Sequence, residues 1–320
     1  MVVKGKNPPT GGRGQGSSPP PRCGVGRARA HHGELLQGVF PDGSGRNVRA
    51  LVTLPFRGRG SEAAFEPSVR GRTITVVPSW RTKALAAAGI ACLRLTGRPV
   101  GGVLTIRSDV PPGMGLGSST SDVTAAVRAV ADSVGVHVTD GQVADMAATA
   151  EGATDSTMID THPVLFAQRE GRVLEYLPDL PPLLVVGCNT DTDGDGVDTV
   201  AHPVARYSAT ETAVFRRLLH DLRAALHRGD AEAVAQVADH SGRINERFLP
   251  KQGISRIRKI AESTGGLGVQ VAHSGTVVGV IFDPSRSNAA TDAFECADLL
   301  GAAGFRDVVQ FSTAGEANPG

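Results

Sequence analysis

The chain has 320 residues, enough for one large domain or two smaller ones with a substantial core. Its net charge of +1 and its 4% aromatic content exclude a basic nucleic-acid footprint and a stacking platform for single strands. No stretch reaches the apolar length of a membrane span. Cys23, Cys92, Cys188 and Cys296 are too scattered for a zinc site or a disulfide framework, which points to reduced thiols in a cytoplasmic setting.

Residues 1–22 are rich in Gly, Pro and Ser, and Lys4, Lys6 and Arg13 precede no apolar run. They are expected to form a disordered tail rather than a signal peptide. Order is expected from Gly24. Val25–Phe40 reads as strand, turn and strand. Within it His31 and His32 are adjacent, so on a strand their rings take opposite faces and are not expected to share a metal. Leu51–Phe56 and Thr73–Val77 read as strands. Thr82–Leu95 is an alanine-rich helix, with Trp80 and Cys92 as packing residues. Gly102–Arg107 is a strand that feeds the most informative stretch of the chain.

That stretch is Pro111-Pro-Gly-Met-Gly-Leu-Gly-Ser-Ser-Thr-Ser-Asp122. Gly113, Gly115 and Gly117 permit positive φ and a close backbone approach to a ligand. The hydroxyl residues open an amphipathic helix, and Ser119 with Asp122 has the spacing of a capping box. A helix start offers unpaired N–H groups and partial positive charge, and phosphate is the anion that suits it best. No lysine precedes Ser118, so the Gly-Lys-Ser/Thr phosphate loop is excluded, and the glycine spacing does not fit a dinucleotide fingerprint.

Further on, Asp140 is expected to cap a helix over Gly141–Ala150. Glu151 at its end opposes the helix dipole and calls for a compensating cation. Magnesium on nucleotide phosphates would supply one, since it takes one or two carboxylates together with phosphate oxygens. Asp155 is a candidate to receive or orient a substrate hydroxyl proton, with Asp160 as a rival; the bland alternative for either is a turn cap. Leu165–Tyr176 reads as a hairpin turning at Arg169–Gly171, and Leu183–Val186 as a buried strand. Asp191-x-Asp193-x-Asp195-Gly196 copies half of a calcium loop, but its twelfth position is His202 and a strand precedes it, so calcium is disfavoured. Thr210–His227, Asp230–Ser241 (capped by Asp230), Ile254–Ser263 and Ser287–Leu300 have helical periodicity. Gly265–Phe282 reads as two strands around a Ser274-Gly275 turn, and Val308–Phe311 as a last strand.

Three separated strings, in order, resemble the GHMP small-molecule kinases: Gly33-Glu-Leu-Leu-Gln-Gly38, the Pro112–Thr120 loop, and Ala272-His-Ser-Gly-Thr276. The first and third, with Glu151-x-x-Thr-Asp-Ser-x-Met158, are similar to the L-threonine kinase branch of cobalamin synthesis. The resemblance covers residues 24–312. It implies an α+β, two-domain GHMP fold, with a ribosomal S5 domain 2-like N-terminal domain over 23–180 and a ferredoxin-like C-terminal domain over 181–314; residues 315–320 are expected to fray. It implies ATP and Mg2+ as cofactors. The nucleotide would be held by Pro112, Gly113, Met114, Gly115, Leu116, Gly117, Ser118, Ser119 and Thr120, and the metal by Ser119 and Glu151. Asp155 would be catalytic, and Glu34, Gln37, Asp191, Asp198, His273 and Ser274 would face the substrate, with Arg27 or Arg29 assisting the transferred phosphate. The implied partner is a small-molecule hydroxyl substrate, best L-threonine, with neither nucleic acid nor membrane; a homodimer is left open. Another small alcohol, or a non-catalytic nucleotide- or calcium-binding relative, remains an alternative.

Overall fold

The computed structural model describes residues 22–68, 70–191 and 205–314. Its spine is a pair of long antiparallel strands, β1 (Gly24–Pro41) and β2 (Asn47–Pro67), in register from Gly24 opposite Phe65 to Pro41 opposite Asn47. Alternation buries Ala28 and Ala30 and leaves Arg27 and Arg29 in solvent. The expected strand, turn and strand is corrected to one bulged strand. Gly33 adopts φ +67° without reversing the chain, and the register shifts on both sides of Glu34.

Around this spine lie β3 (Ile74–Val77), β4 (Gly102–Ser108), β5 (Val164–Ala167), β6 (Arg172–Tyr176), β7 (Leu184–Asn189), β8 (Gly268–Val271), β9 (Val277–Phe282) and β10 (Arg306–Ser312). The sheet runs β10-β7-β9-β8-β1-β2-β4-β3, and the β5–β6 hairpin joins β2. β3 and β4 are parallel, joined by helix α1 (Thr82–Thr96) as a parallel pair requires. The N-terminal and C-terminal strand sets meet at β1 and β8, where Glu34 pairs with Val271.

Helices α1, α2 (Ser118–Ser133) and α3 (Asp140–Glu151) cover the first strand set. Their alanine faces let them close on Phe65, Leu104 and Phe166 in one core. α3 is capped by Thr139 rather than the expected Asp140, because Thr139 and Gln142 form a reciprocal capping box. Trp80 is 57% exposed and is not the packing residue expected, whereas Cys92 is buried. Helices α4 (Ala209–Arg228) and α5 (Ala231–Asn245) bury Phe215, Leu219 and Leu222 against Phe40 and Leu36 of β1. Asp230 caps α5 as expected, accepting from the Ala233 N–H at 2.9 Å. Helices α6 (Ile254–Ser263) and α7 (Ala289–Ala302) pack on β7 and β9 through Val186, Val278 and Phe282. Among the described residues no helix is long and apolar enough to cross a membrane, and the four cysteines are free.

Candidate active site

β4 delivers the chain into the glycine loop, and α2 begins at Ser118. The expected Ser119–Asp122 capping box does not form. Gly117 is the N-cap, at φ +72°, with no side-chain cap. Asp122 turns instead to Ser61 Oγ at 2.7 Å and to the Arg81 guanidinium. The first N–H groups of α2 are thus left without a capping side chain, as an anion site requires. Gly115 is at φ +83°, and a Cβ there would lie 2.3 Å from the Ser274 carbonyl oxygen. The backbones of the loop and of the Ser274-Gly275 turn therefore touch directly. The Met114 carbonyl also accepts from the N–H groups of Thr276 and Val277, both at 3.0 Å. Pro112, Gly113, Gly115, Leu116, Gly117, Ser118, Ser119 and Thr120 all line a cavity of about 730 Å³; Met114 does not, and packs beside Phe56 and Val277 instead.

Glu151, at the end of α3, faces the start of α2. Its two carboxylate oxygens accept from Ser119 Oγ at 2.7 Å and Thr120 Oγ1 at 2.9 Å. Burial pushes its pKa up, against the pull of these hydroxyls. The same cavity wall holds Asp155, whose carboxylate meets His31 Nε2 at 2.9 Å. Burial alone would raise the Asp155 pKa, but the charge and hydrogen bond of His31 outweigh it, and the group is held far below the usual carboxylate range. His31 is raised in turn: Asp155 and Glu34 overcome its own desolvation.

Glu34 is 2% exposed and does not line the cavity. Both its oxygens are taken by His273, one by the backbone N–H at 2.6 Å and the other by Nδ1 at 2.9 Å. The expectation that Glu34 faces the substrate is therefore corrected: it stands behind His273, which does line the cavity. Burial lowers the His273 pKa, yet the Glu34 charge and hydrogen bond, with Asp155, carry it up to about 9. Gln168 closes the circuit, its Nε2 lying 2.9 Å from His273 Nε2. Under the turn, the buried Lys251 donates to the Gly275 carbonyl at 2.5 Å.

Gln37 and Ser274 line the cavity, Gln37 with its main chain tied to Ser241 and Asn245 of α5. Asp191, at the end of β7, does not line it, and Asp198 lies outside the described residues, with most of the acidic turn. Arg27, Arg29 and Asp160 are also corrected. They line a separate surface cavity, Arg27 paired with Glu62 at 2.7 Å and Arg29 with Asp160 at 3.6 Å. Sequence reasoning missed the site roles of His31, Gln168, Arg81 and Lys251. Only His31 carried a signal, its place one strand step from His32 beside Glu34.

An uncapped helix start, a glycine loop braced by a second glycine turn, and a hydroxyl–carboxylate pair across from it are the marks of the GHMP kinase family, to which this chain belongs. The family model of the GHMP kinases N terminal domain matches residues 83–168, and that of the GHMP kinases C terminal domain matches residues 222–299. The two-domain α+β fold is as expected. Among curated relatives, the chain is similar to the L-threonine kinase of Salmonella typhimurium, with 24% identity over 185 residues, covering 58% of this chain and 61% of the relative. It is similar to the L-threonine kinase of Citrobacter freundii at 26% over 188 residues, covering 57% and 63%. The match thus spans less than two thirds of each relative's length. Among solved structures, the homoserine kinase from Cytophaga hutchinsonii superposes with a TM-score of 0.63 at 16% identity, covering 91% of this chain and 93% of that one. The mevalonate kinase from Staphylococcus aureus gives 0.59 at 18%, covering 91% and 98%. These likenesses show the fold.

Proposed function

We propose that the chain is an ATP-dependent kinase acting in the cytoplasm, which transfers a phosphoryl group to the hydroxyl of a small molecule. The acceptor we favour is L-threonine, giving O-phospho-L-threonine. The observation that carries this reading is the junction of Glu151 with Ser119 and Thr120 at the start of α2, in one cavity with Asp155. The substrate rests on the two relatives named L-threonine kinase.

Phosphoryl transfer asks for placement and charge stabilisation more than covalent chemistry. The backbone N–H groups of the loop and of the first turn of α2 suit the nucleotide phosphates. Ser119 and Glu151 offer hydroxyl and carboxylate oxygens, the hard donors that magnesium takes. A divalent cation there would also offset the burial that raises the Glu151 pKa. They are the residues that would hold the metal, whose chemistry is to neutralise charge on the transferring group. Asp155 is kept ionised by His31, so its carboxylate is ready to accept a hydrogen bond from the acceptor hydroxyl and aim the oxygen. Glu34 acts one step back: it fixes the His273 ring and its N–H, and so shapes the wall beside Asp155.

Radiolabelled transfer from ATP to threonine, serine, homoserine and mevalonate tests the proposal. Transfer to threonine above the other three is the expected result. No transfer to any of the four, with magnesium present, would refute the kinase reading; transfer to another alcohol alone would refute the substrate.

A further inference from the structure

Most charged groups of the cavity wall are already satisfied. Glu151 is held by hydroxyls, Asp155 by His31, and Asp122 by Arg81 and Ser61. Three cations on the wall have no acidic partner among the described residues: Lys83, Arg49 and Arg169. Lys83 is exposed in the first turn of α1, next to Arg81, which reaches Ser118 at 3.3 Å. It therefore belongs to the phosphate-loop side. Arg49 and Arg169 belong together elsewhere. Arg49, on β2, is half-buried and donates to the Ala205 carbonyl. Its guanidinium lies 5.8 Å from the Tyr207 ring centroid, and Tyr207 is fixed by its hydroxyl on Asn245 at 2.5 Å. Ala50 of β2 pairs with Ala167 of β5, so Arg49 and Arg169 flank one strand junction, and both line the cavity. Burial lowers the Arg49 pKa, Tyr207 opposes this, and the Arg169 charge adds to it. Arg169 follows Gln168, whose amide lies 2.9 Å from His273 Nε2.

Two like charges on one cavity, with no acidic partner among the described residues, repel each other, and a bound anion would remove that cost. The planar fork of arginine matches a carboxylate better than any other side chain does. From this we infer that Arg49 and Arg169 form the subsite for a carboxylate on the alcohol substrate, so that the chain selects hydroxy acids and hydroxy amino acids over uncharged alcohols. This deepens the kinase proposal and rests on it. The charge pair would fix the acid end of the substrate while Asp155 meets the hydroxyl end, which explains why the wall carries cations so near a cluster built around carboxylates.

The test compares L-threonine with its carboxylate-free analogue L-threoninol, and with a phosphate-bearing alcohol, glycerol 3-phosphate, on the wild type and on Arg49→Gln and Arg169→Gln. Binding is read by calorimetry, independently of turnover, so that loss of the subsite and absence of kinase activity give separate signals. A charged hydrogen bond is worth about 1.5–3 kcal/mol, roughly a tenfold change or more in affinity. The expected result is KM and Kd for L-threonine raised about tenfold or more in each variant, with kcat and the KM for ATP little changed and with L-threoninol weak in all three proteins. Arg169 sits in an exposed turn, so its variant keeps the test valid if Arg49→Gln folds poorly. The inference is overturned if L-threoninol binds as well as L-threonine, if glycerol 3-phosphate is preferred, or if the variants raise the KM for ATP instead.

Discussion

Gly113 and Gly115 provide a matched pair for testing how the phosphate loop is braced. Their φ angles are +79° and +83°, so alanine meets the same backbone penalty at both, about 1–2 kcal/mol for an L-residue in the left-handed region. Their surroundings differ. A Cβ on Gly113 meets nothing within 4 Å, whereas one on Gly115 lies 2.3 Å from the Ser274 carbonyl oxygen and 2.6 Å from the Ala272 Cβ. The obstacle is main chain, held from below by Lys251 through Gly275, and it cannot swing aside as a flexible side chain would. Overpacking of this kind costs a further ~1–3 kcal/mol. We therefore expect Gly115→Ala to lose about 2–5 kcal/mol and Gly113→Ala about 1–2 kcal/mol. Urea unfolding of the two variants beside the wild type, with slopes compared to check for an unchanged native state, gives both values. Equal midpoints for the two variants would refute the claim that the loop is locked against the Ser274-Gly275 turn.

Glu151→Gln keeps the shape of the side chain and removes its charge; kcat should fall on the order of 10²-fold, as when one preorganised electrostatic contact is lost, with more magnesium needed for half-maximal rate. An unchanged magnesium requirement would separate Glu151 from the metal. Asp155→Asn should lower kcat with little change in the KM for ATP. Because the wild-type Asp155 is held far below the usual carboxylate range, an acid limb of the wild-type rate profile near pH 4 should survive in this variant, and its disappearance would contradict the assignment. The Glu34–His273 pair predicts a pH-dependent stability. The folded-state pKa of His273 is raised to about 9 from 6.5, so its contribution is complete below pH 6.5 and is lost as pH rises through 9. Lys251, lowered by burial to about 8 from 10.5, acts in the opposite sense above pH 8. The measurement is therefore the stability difference between wild type and His273→Gln, which should shrink between pH 6.5 and 9; a difference constant over that range would show that folding does not raise the His273 pKa.

The helices and most strands could be read locally, because alanine and β-branched periodicity and the bounding glycines act over a few residues. The glycine loop was legible for the same reason. Where the reading failed, a distant partner decided. Gly33 looked like a turn, but β2 runs alongside β1 past it and holds the strand straight through a bulge. Asp122 looked like a cap, yet Ser61 and Arg81, from two other elements, claim its carboxylate. Arg29 looked available to the site, but alternation along β1 turns it to solvent, where it pairs with Asp160 of the loop after α3. Gln168 and Lys251 had no local signature at all. Each matters only because folding brings it against His273 or Gly275, and nothing within a few residues of either announces that.

The join of β1 to β8 has one further consequence. Glu34 is the residue of β1 that pairs with Val271, and its carboxylate is also what holds His273. One residue of the seam between the two lobes therefore also tethers the cavity wall. Prising the lobes apart at this pair would release His273 from its tether and alter the cavity wall.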